Sequence, residues 1–203
     1  KPGTSWDPDS YMNIWVADLS GGLLGYAQFP SNSGLGGLNV NGGAANTDGV
    51  VALYSSIGSV ANPFPGGAPY NIGRTLTHEV GHWLGLRHIW GDSNCGNDFC
   101  GDTPESQTSN FGCPNLTTCD GVQDMVENYM DYTDDACMDI FTADQKDRIR
   151  TVMLNSPRRA LLPNSLKCGL PVPIISFVTS SGGSVNEGTN CDYVDIPVDI
   201  QIS

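Results

Sequence analysis

All three histidines of this 203-residue chain fall within one eleven-residue stretch, His78-Glu79-Val80-Gly81-His82-Trp83-Leu84-Gly85-Leu86-Arg87-His88. A helix advances ~100° and ~1.5 Å per residue, so His78 and His82 stand one above the other and can share a metal ion. A continued helix would carry His88 ~9 Å past His82 and round to roughly the opposite side, too far for a Zn–N bond of ~2.1 Å. The helix must therefore break between them. Gly85 is where it must break, because a residue without Cβ can take the left-handed conformation that ends a helix and turns the chain back. Glu79 directly follows the first ligand. Its carboxylate then stands beside the metal's open side, the position of a general base for a metal-bound water. Three imidazoles and no cysteine favour a catalytic zinc site with a vacant fourth position over a closed structural one.

Composition narrows the rest. Nine basic against 22 acidic side chains argues against nucleic acid, whose phosphates need clustered Lys and Arg. The acidity is compatible with bound calcium, with cationic peptide substrates, or with solubility alone. Asp outnumbers Glu 18 to 4 beside 25 Gly and 13 Pro, which is loop chemistry rather than long helices. Seven cysteines without Cys-x-x-Cys spacing imply disulfides and an oxidising compartment, and the odd count leaves one thiol free or paired outside the chain. No apolar run approaches the ~20 residues of a membrane span. With no signal peptide at Lys1-Pro2-Gly3, the expectation is a mature secreted protein. The length suits one main domain with a small appendage.

Along the chain, residues 12–17, 23–29 and 50–54 read as short strands, and the glycine-rich 31–49 as a surface loop. Asn71 is the expected N-cap of the histidine-bearing helix, with Ile72, Leu76, Val80 and Leu84 as its apolar stripe. Thr142-Ala143-Asp144-Gln145 is a capping box opening a second helix, which Phe141, Ile149, Val152 and Met153 give a face to bury. Arg148, Arg150, Arg158 and Arg159 gather near its end, which suits the helix dipole. From Cys168 onward the composition turns to Val, Ile, Ser, Thr and Gly.

The histidine stretch, followed by Asn128-Tyr129-Met130-Asp131-Tyr132, resembles the metzincin metallopeptidases. Asp102-Thr103-Pro104 and Asp134-Asp135-Ala136-Cys137 make the chain similar to their pappalysin branch, close to the ulilysin-like enzymes, from about Trp6 to about Asn155. The resemblance implies an α+β, zincin-like fold: a small twisted mixed sheet, an active-site helix, a C-terminal helix and a short β-rich tail. The catalytic domain would be residues 1–165, with an N-terminal subdomain to about 85, and 166–203 a linker and the start of a β-rich module.

The resemblance also implies a function, a secreted zinc endopeptidase cutting before Arg and, less well, Lys. His78, His82 and His88 would hold zinc and Glu79 would act as general base. Tyr132 would approach the oxyanion, and Met130 would be the apolar floor beneath the imidazoles. Asp135 would lie at the base of the specificity pocket, where a partly desolvated carboxylate prefers a guanidinium or ammonium. A protein or peptide substrate would pair antiparallel with an exposed strand edge at Leu24, Gly25 and Tyr26. Calcium would bind at Asp98, Gly101, Asp102 and Thr103, a segment whose spacing does not follow the EF-hand order. The family pattern further suggests disulfides Cys95–Cys119 and Cys113–Cys137, leaving Cys168–Cys191 as a tail bridge and Cys100 unpaired.

Two departures stand out. Two strands and a helix that the family carries ahead of Trp6 are absent, which leaves a three-stranded sheet with an exposed inner edge at 12–16 unless the missing segment binds as a separate partner. The loop 31–49 is also longer than expected. The competing readings are a calcium-dependent binding module with structural zinc, and an inactive fragment of an enzyme.

Overall fold

The computed structural model describes residues 5–39, 42–165, 167 and the backbone of 200–202. Three short β-prone runs build most of one mixed sheet. Strand β1 (Asn13–Ala17) lies parallel to β3 (Gly49–Leu53), with Asn13 opposite Gly49 and Ala17 opposite Leu53. Strand β2 (Gly25–Ala27) runs antiparallel to β3, and backbone bonds from Leu53 N to Leu24 O and from Gln28 N to Gly49 O extend the pairing by one residue at each end. The inner edge at 12–16 is not bare. Strand β4 (Ile200–Ile202) pairs with β1 in parallel, so the order among the described residues is β2-β3-β1-β4, with β2 and β4 as the outer strands.

Helix α1 (Arg74–Trp83) packs on this sheet. Met12, Ile14, Val50 and Trp83 are buried together, with Ala27, Leu76, Val80, Leu84 and Leu162 against them. Each large apolar side chain so buried contributes about 1.5–3 kcal/mol relative to exposure. A second core forms beyond the helix: Leu86, Ile89, Trp90 and Met130 pack with Phe141 and Ile149. Ile149 comes from helix α2 (Ala143–Asn155), which opens on the expected capping box, Thr142 accepting from Gln145 N and Gln145 reaching back to Thr142 N.

Two expectations need correction. Asn71 does not cap α1: its amide donates to Phe64 O at 2.8 Å, and the residue before the helix is Gly73 at φ 88°. A more distant carboxylate takes the role, since Asp135 Oδ2 accepts from Ile72 N (2.8 Å) and Arg74 N (3.3 Å). Nor do the arginines merely line the end of α2. Arg159 is buried, bonds both Asp48 oxygens at 2.5 Å and lies 3.9 Å over the Trp83 ring. Asp48 also accepts from Trp83 Nε1 and pairs with Arg158, while buried Arg148 donates from Nε to Gly85 O at 2.7 Å. Arginine can be buried in this way because its planar donors match carboxylate and carbonyl acceptors.

Disulfides Cys95–Cys119 and Cys113–Cys137 cross the irregular stretch between the two helices. Cys100 is a buried free thiol, and burial pushes its pKa up to about 12, so it is inert. The Cys168–Cys191 pairing lies outside the described residues.

Candidate active site

Helix α1 sets His78 and His82 one turn apart, their ring centroids at 4.6 Å. The helix then ends as a Schellman turn: Gly85 has φ 89°, its N–H donates to His82 O, and Leu86 N–H donates to Gly81 O. A Cβ on Gly85 would meet Val152 Cγ2 at 2.8 Å, so conformation and space both demand glycine here. Beyond the turn the chain returns, and His88 lies 4.5 Å from His82 and 5.2 Å from His78 between ring centroids.

The outer ring nitrogens decide the tautomers. His78 Nδ1 meets Tyr129 O at 2.7 Å, His82 Nδ1 meets Leu86 O at 2.9 Å, and His88 Nδ1 meets Asp92 Oδ1 at 2.5 Å. Carbonyl and carboxylate oxygens only accept, so each Nδ1 carries the proton and each Nε2 is left with a lone pair. The Nε2 atoms of His82 and His88 are 3.0 Å apart, and one ligand atom from each of the three rings falls within 4.8 Å of the others. Lone pairs at that distance repel unless a cation joins them. Two nitrogens bound to one tetrahedral ion stand ~3.4 Å apart, so the donor set fits zinc.

Electrostatics keep the rings in their ligand form. Burial and the neighbouring imidazoles hold His78 well below the ordinary histidine range, burial chiefly lowers His82 to about 4, and burial also lowers His88. Burial pushes the Glu79 carboxyl up to about 8. A dication among the rings would favour the carboxylate again.

Glu79 lies against the edge strand β2. A Cβ on Gly25 would meet Glu79 Cγ at 2.7 Å, so the absence of a side chain on β2 makes room for the acid. Beneath the helix, fully buried Met130 occupies the space that a side chain on Gly81 would fill, its sulfur 2.5 Å from that hypothetical Cβ. His78, Glu79, Leu24, Gly25, Tyr132 and Asp135 line one cleft of about 310 Å³, with Phe111, Tyr70 and Met138 among its other walls. The Tyr132 ring stands 4.9 Å from His88, and burial with the nearby Glu79 carboxyl raises its hydroxyl's pKa, so it stays a donor. Tyr26, next on β2, is exposed.

Asp135 is buried at 2% exposure, not solvated. Burial pushes its carboxyl above the usual range against the pull of the Ile72 and Arg74 N–H groups. Both of those donors use Oδ2, so Oδ1 takes no part in the helix cap. Of the residues considered for calcium, Asp98 accepts from Cys100 N and Thr103 Oγ1, and Asp102 accepts from Asp144 N. Among the described residues, the histidine triad is the one metal-type cluster of His, Cys, Asp or Glu groups.

Sequence reasoning missed two residues at the zinc end: Asp92, bonded to His88, and Trp90, stacked on the His88 ring at 4.2 Å. The four-residue spacing from His88 to Asp92 was the available signal. Nothing marked Trp90 as more than a core residue.

This fold with this site is of the metzincin type. The family model described as Peptidase_M43, pregnancy-associated plasma protein-A, matches residues 3–154. The chain belongs to that family, the pappalysins. It is 38% identical over 144 residues to extracellular metalloprotease 1 of Coccidioides posadasii, which covers 70% of this chain and 49% of that protein. It is 42% identical over 135 residues to an extracellular metalloprotease of Colletotrichum graminicola, covering 63% and 44%. Among solved structures, Tannerella forsythia mature mirolysin in complex with a cleaved peptide is similar with a TM-score of 0.63 at 42% identity, covering 78% of this chain and 58% of that one. The chain thus spans about half the length of the curated relatives it matches.

Proposed function

We propose that the chain is a secreted zinc metalloendopeptidase that hydrolyses peptide bonds with Arg, or less well Lys, on the primed side of the scissile bond. The observation that carries this reading is one cleft lined by Glu79, by the edge strand β2 and by His78, whose ring is clustered with those of His82 and His88. Zinc held by His78, His82 and His88 would supply a water acidified to a pKa of ~7 and a Lewis acid for the scissile carbonyl. Glu79 takes the proton of the attacking water and delivers it to the leaving amine. Tyr132 donates its hydroxyl to the developing oxyanion. Leu24, Gly25 and Tyr26 pair with the substrate backbone, a mode open to peptides and not to sugars or nucleotides. Support for the class comes from family membership, and support for secretion from the extracellular relatives and the two disulfides.

Asp135 is the proposed specificity determinant. Its Oδ1 is free of the helix-capping bonds, and a guanidinium reaching it would be desolvated on both sides. Calcium at Asp98, Gly101, Asp102 and Thr103 completes the proposal. The donors left to it are the remaining carboxylate lone pairs, the Thr103 hydroxyl and backbone carbonyls, all oxygen, as calcium prefers. The catalytic unit is proposed as residues 1–165, with 166–203 the linker and start of a β-rich module.

The test is hydrolysis of an Arg-containing peptide library with and without chelator. Glu79→Gln should keep zinc and lose at least ~10²-fold in kcat. Asp135→Asn keeps an oxygen for the α1 cap but drops the charge, so it should lose the preference for basic residues at near-native Tm. Unchanged hydrolysis in Glu79→Gln would remove Glu79 as the general base, and a parent chain without chelator-sensitive hydrolysis would return the chain to the binding-module reading. An unchanged cleavage profile would remove Asp135 from the account.

A further inference from the structure

The three zinc-ligand candidates are not held alike. His78 and His82 share the rigid frame of α1, and their Nδ1–H groups go to backbone carbonyls. His88 comes from a loop beyond the Gly85 turn, where no helix fixes its direction. Its Nδ1–H goes instead to a side chain, Asp92 Oδ1, at 2.5 Å. The second oxygen of that carboxylate is also taken: Arg87 Nη2 bonds Asp92 Oδ2 at 2.8 Å, while the same guanidinium reaches Gly91 O at 3.3 Å and Gly37 O at 2.9 Å. Trp90 stacks on the His88 face with the two ring planes 5° apart. The imidazole is thus restrained in its plane by a carboxylate and across its face by an indole.

We propose that Asp92, anchored by Arg87, is a positioning residue for the metal. It fixes the tautomer and direction of His88 so that Nε2 faces the other two imidazoles. Arg87 extends the same clamp to the glycine-rich loop through Gly37, so a segment distant in sequence is tied to the third ligand. An exposed Arg–Asp pair alone stabilises little. This one acts through what it orients. The inference rests on the triad being the zinc site.

The test is zinc affinity of the full chain, measured by competition with a chromophoric chelator, alongside Tm of the metal-free protein. Asp92 stands at φ 59°, so Asp92→Gly removes the carboxylate without adding backbone strain, and Asp92→Asn keeps an acceptor for His88 Nδ1–H. Asp92→Gly should weaken zinc binding by about 10–100-fold. Asp92→Asn should recover most of that loss, with metal-free Tm close to that of the parent in both. Arg87→Gln should weaken binding less than Asp92→Gly. If Asp92→Gly binds zinc within twofold of the parent, or if Asn and Gly lose affinity equally while metal-free Tm falls in step, Asp92 does not position the ligand. Failure of the parent chain to bind zinc would instead remove the metal-site reading itself.

Discussion

The two walls of the cleft are built by different means. Up to Gly85 the chain is held by a sheet ladder and an amphipathic helix over an apolar core. From Leu86 to Phe141 the regular pairing among the described residues is a single bridge, Asn128 with Ile140. There the side chains do what a ladder does elsewhere. Asp131, fully buried, accepts from Asn110 N, Asn110 Nδ2 and Tyr132 N, and Asp124 accepts from Thr118 N and its hydroxyl. Asn128 and Gln145 exchange two amide hydrogen bonds. Short carboxylates and amides can satisfy backbone donors wherever the chain bends, which a ladder cannot. The second wall of the cleft therefore adds buried Asp to its apolar cluster where the first relies on a ladder.

This contrast can be broken by stability measurements. The largest effect is expected at Asp131→Ala, which orphans three donors, two of them buried, and should cost about 3–5 kcal/mol in urea unfolding. Val50→Ala, in the apolar core, should cost about 2 kcal/mol. If the order were reversed, the polar network would not be what holds the second wall. Next comes the Cys113–Cys137 bridge, which spans 24 residues of that wall; replacing both with Ser should cost about 3 kcal/mol and leave the sheet's amide-exchange protection intact. Gly85→Ala, at the junction of the two regions, should cost about 2 kcal/mol from the left-handed backbone and the Val152 contact.

The smallest and sharpest test is pH. In metal-free Glu79→Gln, the lowered histidines bind protons more readily unfolded than folded, so stability should be lost as pH falls from about 6.5 toward the His82 value of about 4. With Glu79 present the raised carboxyl opposes this. It is protonated when folded and ionised when unfolded, so stability is lost as pH rises from about 4.5 to about 8. A titration of Tm for the two metal-free proteins that showed parallel curves would contradict the burial of Glu79.

The same contrast explains what could be read in advance. The strands, the capping box at Thr142 and the bend at Gly85 follow local rules of period, cap and φ, and those elements appear where the residues announce them. The cap on α1 did not, because Asp135 reaches it from more than sixty residues away and displaces the local candidate Asn71. Asp48 with Arg159 was invisible for the same reason, with 111 residues separating the partners. At the site, the spacing of the histidines and Glu79 could be read directly. The support from Tyr129 O and the space left at Gly25 could not, since both depend on how distant segments meet. Covering of the β1 edge by Ile200–Ile202 likewise arises from chain far from that edge.

The claim beneath all of this is that the turn at Gly85 brings three Nε2 lone pairs onto one cation and leaves a coordination position to solvent. X-ray absorption at the zinc edge, on the chain loaded with one equivalent of zinc, tests it most directly. The account predicts three imidazole nitrogens at ~2.0–2.1 Å with an additional oxygen and no sulfur. Two imidazoles, or a sulfur neighbour at ~2.3 Å, would contradict it.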